Sequence, residues 1–430
     1  MEEYIYPLQS EWDKLIERPT ASYDDLEDLV SNVFEQIKTR GDDAIFEYTN
    51  EFDKVQIHKL QVDKKEILNG VNNVPKDLKN AIQKAKNNIE KFHKAQITKT
   101  VKVETQPGVK CWQKKQPIEK VGLYIPGGSA PLFSSILMLA IPAQIAGCND
   151  IILCSPPDSQ GKLPKELLYT AQLCGVTKIF KAGGIQAIAG MTFGTESIPN
   201  VYKIFGPGNQ YVTVAKQMAS RYKTAIDMPA GPSELLVVAD ETADPDFVAS
   251  DLLSQAEHGS DSQVILVTTE KSILENIKGA INEQLQNLPR KNIAKKALLN
   301  SKMIVLENDE MAVAFINSYG PEHYIICVEN EDYYVDNVRN AGSVFIGKYT
   351  PESAGDYASG TNHTLPTNGY SKQYSGVNLD SFTKAITFQK INKQGIQGLG
   401  ESIELMAAAE GLVGHKNAIS LRLKKINNEA

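Results

Sequence analysis

An α/β protein built on parallel sheets, in two units, is what this sequence predicts. From Glu119 onward short β-branched runs alternate with helical segments: KVGLYIPGG, NDIILCSPP and TKIFKAGG each precede a stretch of helical or all-apolar character, and YKIFGPGNQ follows the last of them. The rhythm resumes after Ser233 with ELLVVAD, QVILVTT, MIVLEN, EHYIICV and SVFIG. A length of 430 residues allows two or three domains to bury their cores without disulfides or a structural metal.

The elements follow in order. The first 20 residues suggest one helix. SYDDLEDLVSNVFEQIKTRG suggests a second, with Ser22 as N-cap, Gly41 just past the end, and Leu26, Leu29, Val33 and Ile37 at helical spacing. A third, amphipathic helix spans about Pro75 to His93. PLFSSILMLAIPAQIAG, Pro131 to Gly147, contains serines and Pro142 and is shorter than the ~20 residues a membrane span requires, so it reads as a buried helix. Further helices are expected near Leu163 to Leu173 and from Asp244 to about Glu257. From about Lys390 the chain reads as a helical tail with Ile396, Leu399, Ile403 and Met406 on one face.

Composition narrows the function. Hydrophobic content of 42% and charged content of 23% are ordinary for a globular chain, and a net charge of -7 offers no basic face for nucleic acid. The acidic start, MEEYIYPLQSEWDKL, lacks the pattern of a secretory signal, so a cytoplasmic protein is expected. Five cysteines without a CxxC pair argue against a disulfide framework and a cysteine-based zinc site.

Candidate chemistry gathers in a few polar turns. In DLLSQAEHGSDS, Gln255 and His258 stand three apart near a helix end, where two donors could share one ion. Asp356 and His363 in SAGDYASGTNHTLPTNG, and His415 in EGLVGHKN, are possible complements, and such a mixed N/O donor set suits zinc or a similar divalent ion. Of the six histidines, only His58 and His93 lie in segments that read as charged surface. YGPEHYIIC supplies Glu322 and His323 at the start of a strand, and both can serve one site only if the backbone there is still irregular. Each feature has a bland alternative: a capped helix end, a solvated Glu-His pair, tight βα turns. The turns YIPGGSAP, KAGGIQ, FGPGNQ and DMPAGPSE do not form a GxGxxG fingerprint, so a conventional dinucleotide fold cannot be read from them.

Together these segments resemble the histidinol dehydrogenase family. VGLYIPGGSAPLFSSILMLAIPAQIAGC, IFGPGN, DMPAGPSE, SQAEHG, GPEH, SAGDYASGTNHTLPT and EGLVGHKNA match that family's blocks in its order, along nearly the whole chain, and no motif residue is substituted. The resemblance implies two incomplete Rossmann-like α/β domains with helical N-terminal and C-terminal extensions. Residues 1–21 would form the N-terminal extension, 22–125 with 235–380 the main domain, 126–234 an NAD-binding domain and 381–430 a tail exchanged between subunits of a homodimer. The implied activity is a zinc-dependent oxidation of L-histidinol to L-histidine, through the aldehyde, with two NAD. Gln255, His258, Asp356 and His415 would hold one zinc per subunit. His323 and Glu322 would be the acid–base pair, and Tyr124, Gln186 and Asn209 would touch NAD. Ser233, His363 and Glu410 would meet the substrate, together with Gln255, His258, His323, Asp356 and His415. Two other readings are a dehydrogenase of another amino alcohol and, in a different class, a zinc hydrolase, although HExxH is absent. A catalytically dead binding protein would be expected to have lost a motif residue.

Overall fold

The computed structural model describes residues 1–19, 24–127, 132–229 and 231–428. The chain forms two units, one of Met1–Gln96 with Ile118–Phe382, the other of Ile97–Pro117 with the chain from Thr383. Ser22, the expected helix cap, lies outside the described residues, as do residues 128–131 of the first glycine turn and Ala230 of DMPAGPSE.

In chain order the strands are β1 Glu2–Ile5, β2 Val101–Gln106, β3 Val109–Pro117, β4 Lys120–Tyr124, β5 Asp150–Ser155, β6 Lys178–Lys181, β7 Lys203–Phe205, β8 Ala225–Ile226, β9 Glu234–Ala239, β10 Gln263–Thr268, β11 Lys302–Val305, β12 His323–Cys327, β13 Ser343–Ile346 and β14 Thr383–Ile391. The larger unit holds two sheets, both parallel throughout, of order β6-β5-β4-β7-β8 and β1-β11-β10-β9-β12-β13. Each is doubly wound, with its order reversing between β4 and β7 or between β9 and β12.

Helices cover both faces of these sheets, which is why the strands read as unbroken apolar runs rather than alternating ones. Leu235, Val237 and Ala239 of β9 meet Val248, Ala249 and Leu252 of the helix Pro245–Ala256 on one face. Leu236 and Val238 meet Phe315 and Ile316 of the helix Asp309–Tyr319 on the other. In the five-stranded sheet Ile152 and Cys154 pack with Val33, Phe34 and Ile37 of the helix Asp24–Arg40, while Ile151 and Leu153 pack with Ile136, Leu139 and Ile141.

The helix Ser134–Ala146 is buried along ten of its residues, so it has no polar face to give it a helical period. Pro142 cannot donate to the carbonyl four residues back, and Asn362 Nδ2 fills that vacancy by donating to Met138 O at 2.6 Å. The imidazole of His93, expected at the surface, is instead fully buried and its Nε2 lies 3.3 Å from Asn362 Nδ2. Ile82, Ala85, Ile89 and His93 follow one another at helical spacing on the buried face of Lys76–Ala95, a periodicity that extends one turn beyond the apolar residues.

Three expectations are corrected. The N-terminal segment is not one helix: Glu2–Ile5 is an edge strand paired with β11, and only Trp12–Leu15 is α-helical. An edge strand needs one partner only, and Pro7 prevents a continuous helix from Met1. Residues 120–124, assigned above to the main domain, form the central strand of the five-stranded sheet. Residues 383–391, read as part of a helical tail, are a strand, and β14 joins β3 and β2 in an antiparallel sheet with Trp112 and Phe388 stacked at 5.3 Å. The helices Lys393–Ala409 and Val413–Asn428 complete this smaller unit. Among the described residues no helix is long and apolar enough to cross a membrane.

Gly206, just past β7, has φ +131°, and a Cβ there would lie 2.1 Å from Tyr124 O. Gly206→Ala is therefore expected to cost roughly 2–4 kcal/mol by adding a clash to backbone strain. Urea and thermal denaturation would measure this, and an unchanged midpoint would contradict it.

Candidate active site

β12 begins at His323, so Glu322 is the last residue of the preceding turn and the alternation of a regular strand does not yet separate the two side chains. Their groups meet, His323 Nδ1 lying 3.6 Å from Glu322 Oε2. Glu322 Oε2 accepts a hydrogen bond from the Glu234 backbone N–H at 2.9 Å, and His323 Nδ1 lies 3.3 Å from Glu234 O. Glu322 is 5% exposed, and burial pushes its carboxyl up to about 8 although His323 pulls it down. It is thus poised near neutrality, as a general base requires.

The helix Glu352–Tyr357 brings a second carboxylate pair. Glu352 and Asp356 are four apart and so lie on one face, with Glu352 Oε1 at 3.5 Å from His323 Nδ1 and Asp356 Oδ1 at 3.6 Å from His323 Nε2. Burial alone would lower the His323 pKa, but Glu352, Glu322 and Asp356 outweigh it and hold the imidazole well above its usual range. Burial opposes charge on Asp356, yet the His323 imidazole beside it prevails and keeps its pKa low. Burial, only partly offset by His323, drives the Glu352 carboxyl well up. Glu352, 1% exposed, was not singled out above, and its spacing from Asp356 in PESAGDY is the signal that could have found it.

His323, Glu352 and Asp356 each offer an atom to a possible metal position, all within 4.8 Å of one another. Asp356 alone of these was an expected ligand. Gln255 is fully buried on the helix Pro245–Ala256, and among the described residues neither its amide nitrogen nor its amide oxygen has a hydrogen-bond partner. Such an orphaned amide costs free energy unless something else satisfies it, and its oxygen is a donor a hard cation would accept. His258, just past that helix, is exposed on its surface, but its ring is crowded enough for desolvation to lower its pKa against the pull of Asp356. The donors present therefore fit a divalent ion.

His363 is held by the end of the helix that carries Asp356. Its Nδ1 lies 2.8 Å from Asp356 O and its Nε2 3.1 Å from Ser135 Oγ. Ser233, His363 and Glu322 line one small cavity of about 30 Å³ with Lys216 and Asp227, a buried pair that clamps the Gly206 turn. Glu410 and His415 belong to the smaller unit, where Glu410 ends the helix Lys393–Ala409 and His415 is an exposed residue of the next helix.

A cavity of about 800 Å³ opens at the carboxyl ends of β4, β5, β6 and β7, the reversal point of the five-stranded sheet. Tyr124, Gln186 and Asn209 all line it. Tyr124 Oη accepts from the Gly184 N–H at 3.1 Å, Asn209 caps the helix Gln210–Arg221 through Val212 N at 3.1 Å, and Gln186 Nε2 donates to Asp53 Oδ2 at 3.3 Å. Among the described residues Gln186 Oε1 is buried without a partner, leaving an acceptor for a bound group. Asp53, also a lining residue, went unnoticed in the sequence because it ends a charged, unremarkable helix.

A buried acid–base cluster with metal-ligating donors, and a nucleotide-sized cavity at a sheet reversal, define an α/β enzyme. The model of the histidinol dehydrogenase family matches residues 16–423. A histidinol dehydrogenase of Bacteroides thetaiotaomicron is 55% identical over 421 residues, 98% of each chain, and that of Salmonella typhimurium 52% over 419 residues, 97% of this chain and 96% of its own. The crystal structure of histidinol dehydrogenase from Elizabethkingia anophelis is 57% identical and superposes with a TM-score of 0.97 over 99% of both chains. The chain belongs to the histidinol dehydrogenase family and is an oxidoreductase.

Burial pushes the Asp53 carboxyl from 3.8 up to about 6. Its folded pKa exceeds its unfolded one, so between those values the folded state binds the extra proton and stability falls as pH rises. Asp53→Asn, which removes the penalty and keeps an acceptor for Gln186, should raise stability at pH 8 by roughly 1–2 kcal/mol after discounting for solvent screening, and this gain should vanish near pH 4. Melting curves across that range check it, a pH-independent difference being the contrary result.

Proposed function

We propose that this enzyme catalyses the four-electron oxidation of L-histidinol to L-histidine through L-histidinaldehyde, with one zinc ion and two NAD, as the last step of histidine biosynthesis. The observation that carries the reading is the Glu322–His323 pair lying beside Asp356, with the unpartnered Gln255 amide on the neighbouring helix. Gln255, His258 and Asp356 would hold the zinc, with His415 as a further ligand. The cavity lined by Tyr124, Gln186 and Asn209 would take NAD. When bound, NAD supplies the hydride acceptor, and zinc supplies a fixed point for the imidazole and amino nitrogens of the substrate.

His323 would take the alcohol proton on Nε2, which has no hydrogen-bond partner among the described residues, in the neutral form of the ring, the form favoured once a divalent ion held by Asp356 offsets that carboxylate's charge. Glu322, with its raised pKa, accepts a proton from water as the aldehyde is hydrated, which prepares the second oxidation. His363 and Ser233 contact the substrate from the small cavity they share with Glu322. Glu410 would receive the charged amino group. A hydrolase would leave the 800 Å³ cavity at the sheet reversal without a purpose, and this favours the dehydrogenase.

Glu410 and His415 would come from a second copy of the chain in a homodimer. Support lies in the smaller unit, whose helices leave Leu405, Met406, Val413 and Leu421 between 64% and 68% exposed, an apolar surface that a second chain could cover. All five cysteines are free, in keeping with a reducing, cytoplasmic setting.

The decisive assay counts NADH per histidinol consumed: two are expected, none after chelation, and two again on adding zinc. Glu322→Gln should keep its zinc but stall after the first hydride, lowering overall turnover by roughly 10²–10⁴-fold and the ratio toward one, whereas Asp356→Asn should lose zinc and substrate affinity together. Full turnover by Glu322→Gln, or undiminished zinc in Asp356→Asn, would contradict these roles. Mixing inactive Glu322→Gln and His415→Ala chains should restore about a quarter of wild-type activity if half the dimers are mixed and each carries one intact site. No recovery in demonstrably mixed dimers would rule out a shared site.

A further inference from the structure

We infer that Arg18 is a positioning residue for the acid–base pair, acting through Glu234. This rests on the function proposed for Glu322 and His323. Arg18 lies far from them in sequence, in an irregular segment after the first short helix, yet its side chain is only 8% exposed and that of Glu234 only 1%. The guanidinium grips Glu234 with both ends of its fork, Nε to Oε2 at 2.7 Å and Nη2 to Oε1 at 3.2 Å. It also donates to Tyr319 O at 2.8 Å and to Ile16 O at 2.9 Å, and lies over the Tyr319 ring at 3.6 Å. Tyr319 Oη donates to Gln263 Oε1 at 2.9 Å and lies 3.3 Å from Glu234 Oε2. The polar group at the head of β9 is thus fixed from three sides.

Its peptide groups are what the site uses. Glu234 N–H donates to Glu322 Oε2, and Glu234 O lies within reach of His323 Nδ1. A carbonyl is an acceptor only, so this contact keeps a proton on Nδ1, and in the neutral form of the ring Nε2 is then the basic nitrogen. The Glu322 carboxylate is meanwhile pinned by one oxygen. Through Tyr319 O, Arg18 also holds the chain just before Gly320, Pro321 and Glu322, so one guanidinium references both strand entrances that carry the pair. A buried ion pair adds little net stability over an apolar pair of similar shape, while its fixed geometry is well suited to orienting neighbours.

The test compares wild type with Arg18→Met, Arg18→Lys and Glu234→Gln as full-length, zinc-loaded enzymes, measuring melting temperature, zinc content, kcat, KM for histidinol and NAD, and NADH formed per histidinol with an aldehyde trap present. Arg18→Met should keep its zinc and both KM values within about twofold, lose roughly 10²-fold in kcat, and release trappable aldehyde so that the ratio falls below two. Arg18→Lys, which keeps the charge but not the fork, should recover part of the loss, and Glu234→Gln should resemble Arg18→Met. The inference is overturned by a folded Arg18→Met with wild-type kcat and two NADH, or by losses of kcat, zinc and substrate affinity in equal proportion. Should Arg18→Met fail to fold, the same criteria apply to Arg18→Lys. Wild-type enzyme that forms no NADH from histidinol would instead refute the functional reading itself, which separates the two failures.

Discussion

The rest of this structure depends on one electrostatic constraint: three carboxylates surround a single imidazole in a place that water barely reaches. Glu322, Glu352 and Asp356 all stand within 3.6 Å of a ring nitrogen of His323. Even with the imidazole protonated, the group would carry an excess of negative charge if all three acids ionised. Burial makes that state costly, so the excess must be met by protons or by a cation. The raised pKa values of Glu322 and Glu352 are the first answer, and the Gln255 amide, unpartnered among the described residues and next in the chain to Ser254, which reaches Glu352, is the preparation for the second. A bound divalent ion would reverse part of this balance by drawing the carboxyls back toward ionisation.

The fold meets this constraint by dividing the labour between two sheets. The five-stranded sheet opens its large cavity where parallel sheets ordinarily bind ligands, at the carboxyl ends of strands on either side of the reversal. The six-stranded sheet uses the opposite edge, since Glu234 and His323 are the first residues of β9 and β12. The short helix Glu352–Tyr357 supplies Asp356 and the irregular loop after it supplies His363, and this loop is fastened by the carbonyl that Pro142 leaves free, by His93 and by Ser135. A helix defect and a buried histidine thereby fix the loop without demanding regular structure from it.

Much of this was legible in the sequence. Strands buried on both faces announce themselves as apolar runs, so the parallel sheets emerge from β4 to β7 and from β9 to β13, while the two-residue β8 is too short to read, and the polar turns point to Glu322, His323 and Asp356. What escaped notice shares a physical cause. β1, β2, β3 and β14 are edge or exposed strands in which charged and polar residues interrupt the apolar ones, and no apolar run marks them. Glu352, Asp53 and His93 are polar residues on helices, and a single sequence does not distinguish a polar side chain turned inward from one turned outward. Arg18 is invisible for a stronger reason, because its partner lies 216 residues away.

Arg18 also bears on the charge balance of the cluster. Glu234 is a fourth buried carboxyl whose field raises the pKa of Glu322. Left without a counter-ion, it would add to the negative excess and push Glu322 further from the ionised form that a base requires. Pairing it with a guanidinium, which does not give up its proton, confines that field while leaving the peptide N–H and C=O of Glu234 free to face the site. The alternative, an apolar residue at the head of β9, would offer the same peptide groups but nothing to anchor them against the turn before Glu322. A buried acid at position 234 is thus tolerable because of Arg18, and the pair converts a distant part of the chain into a fixed reference for the atoms that move protons.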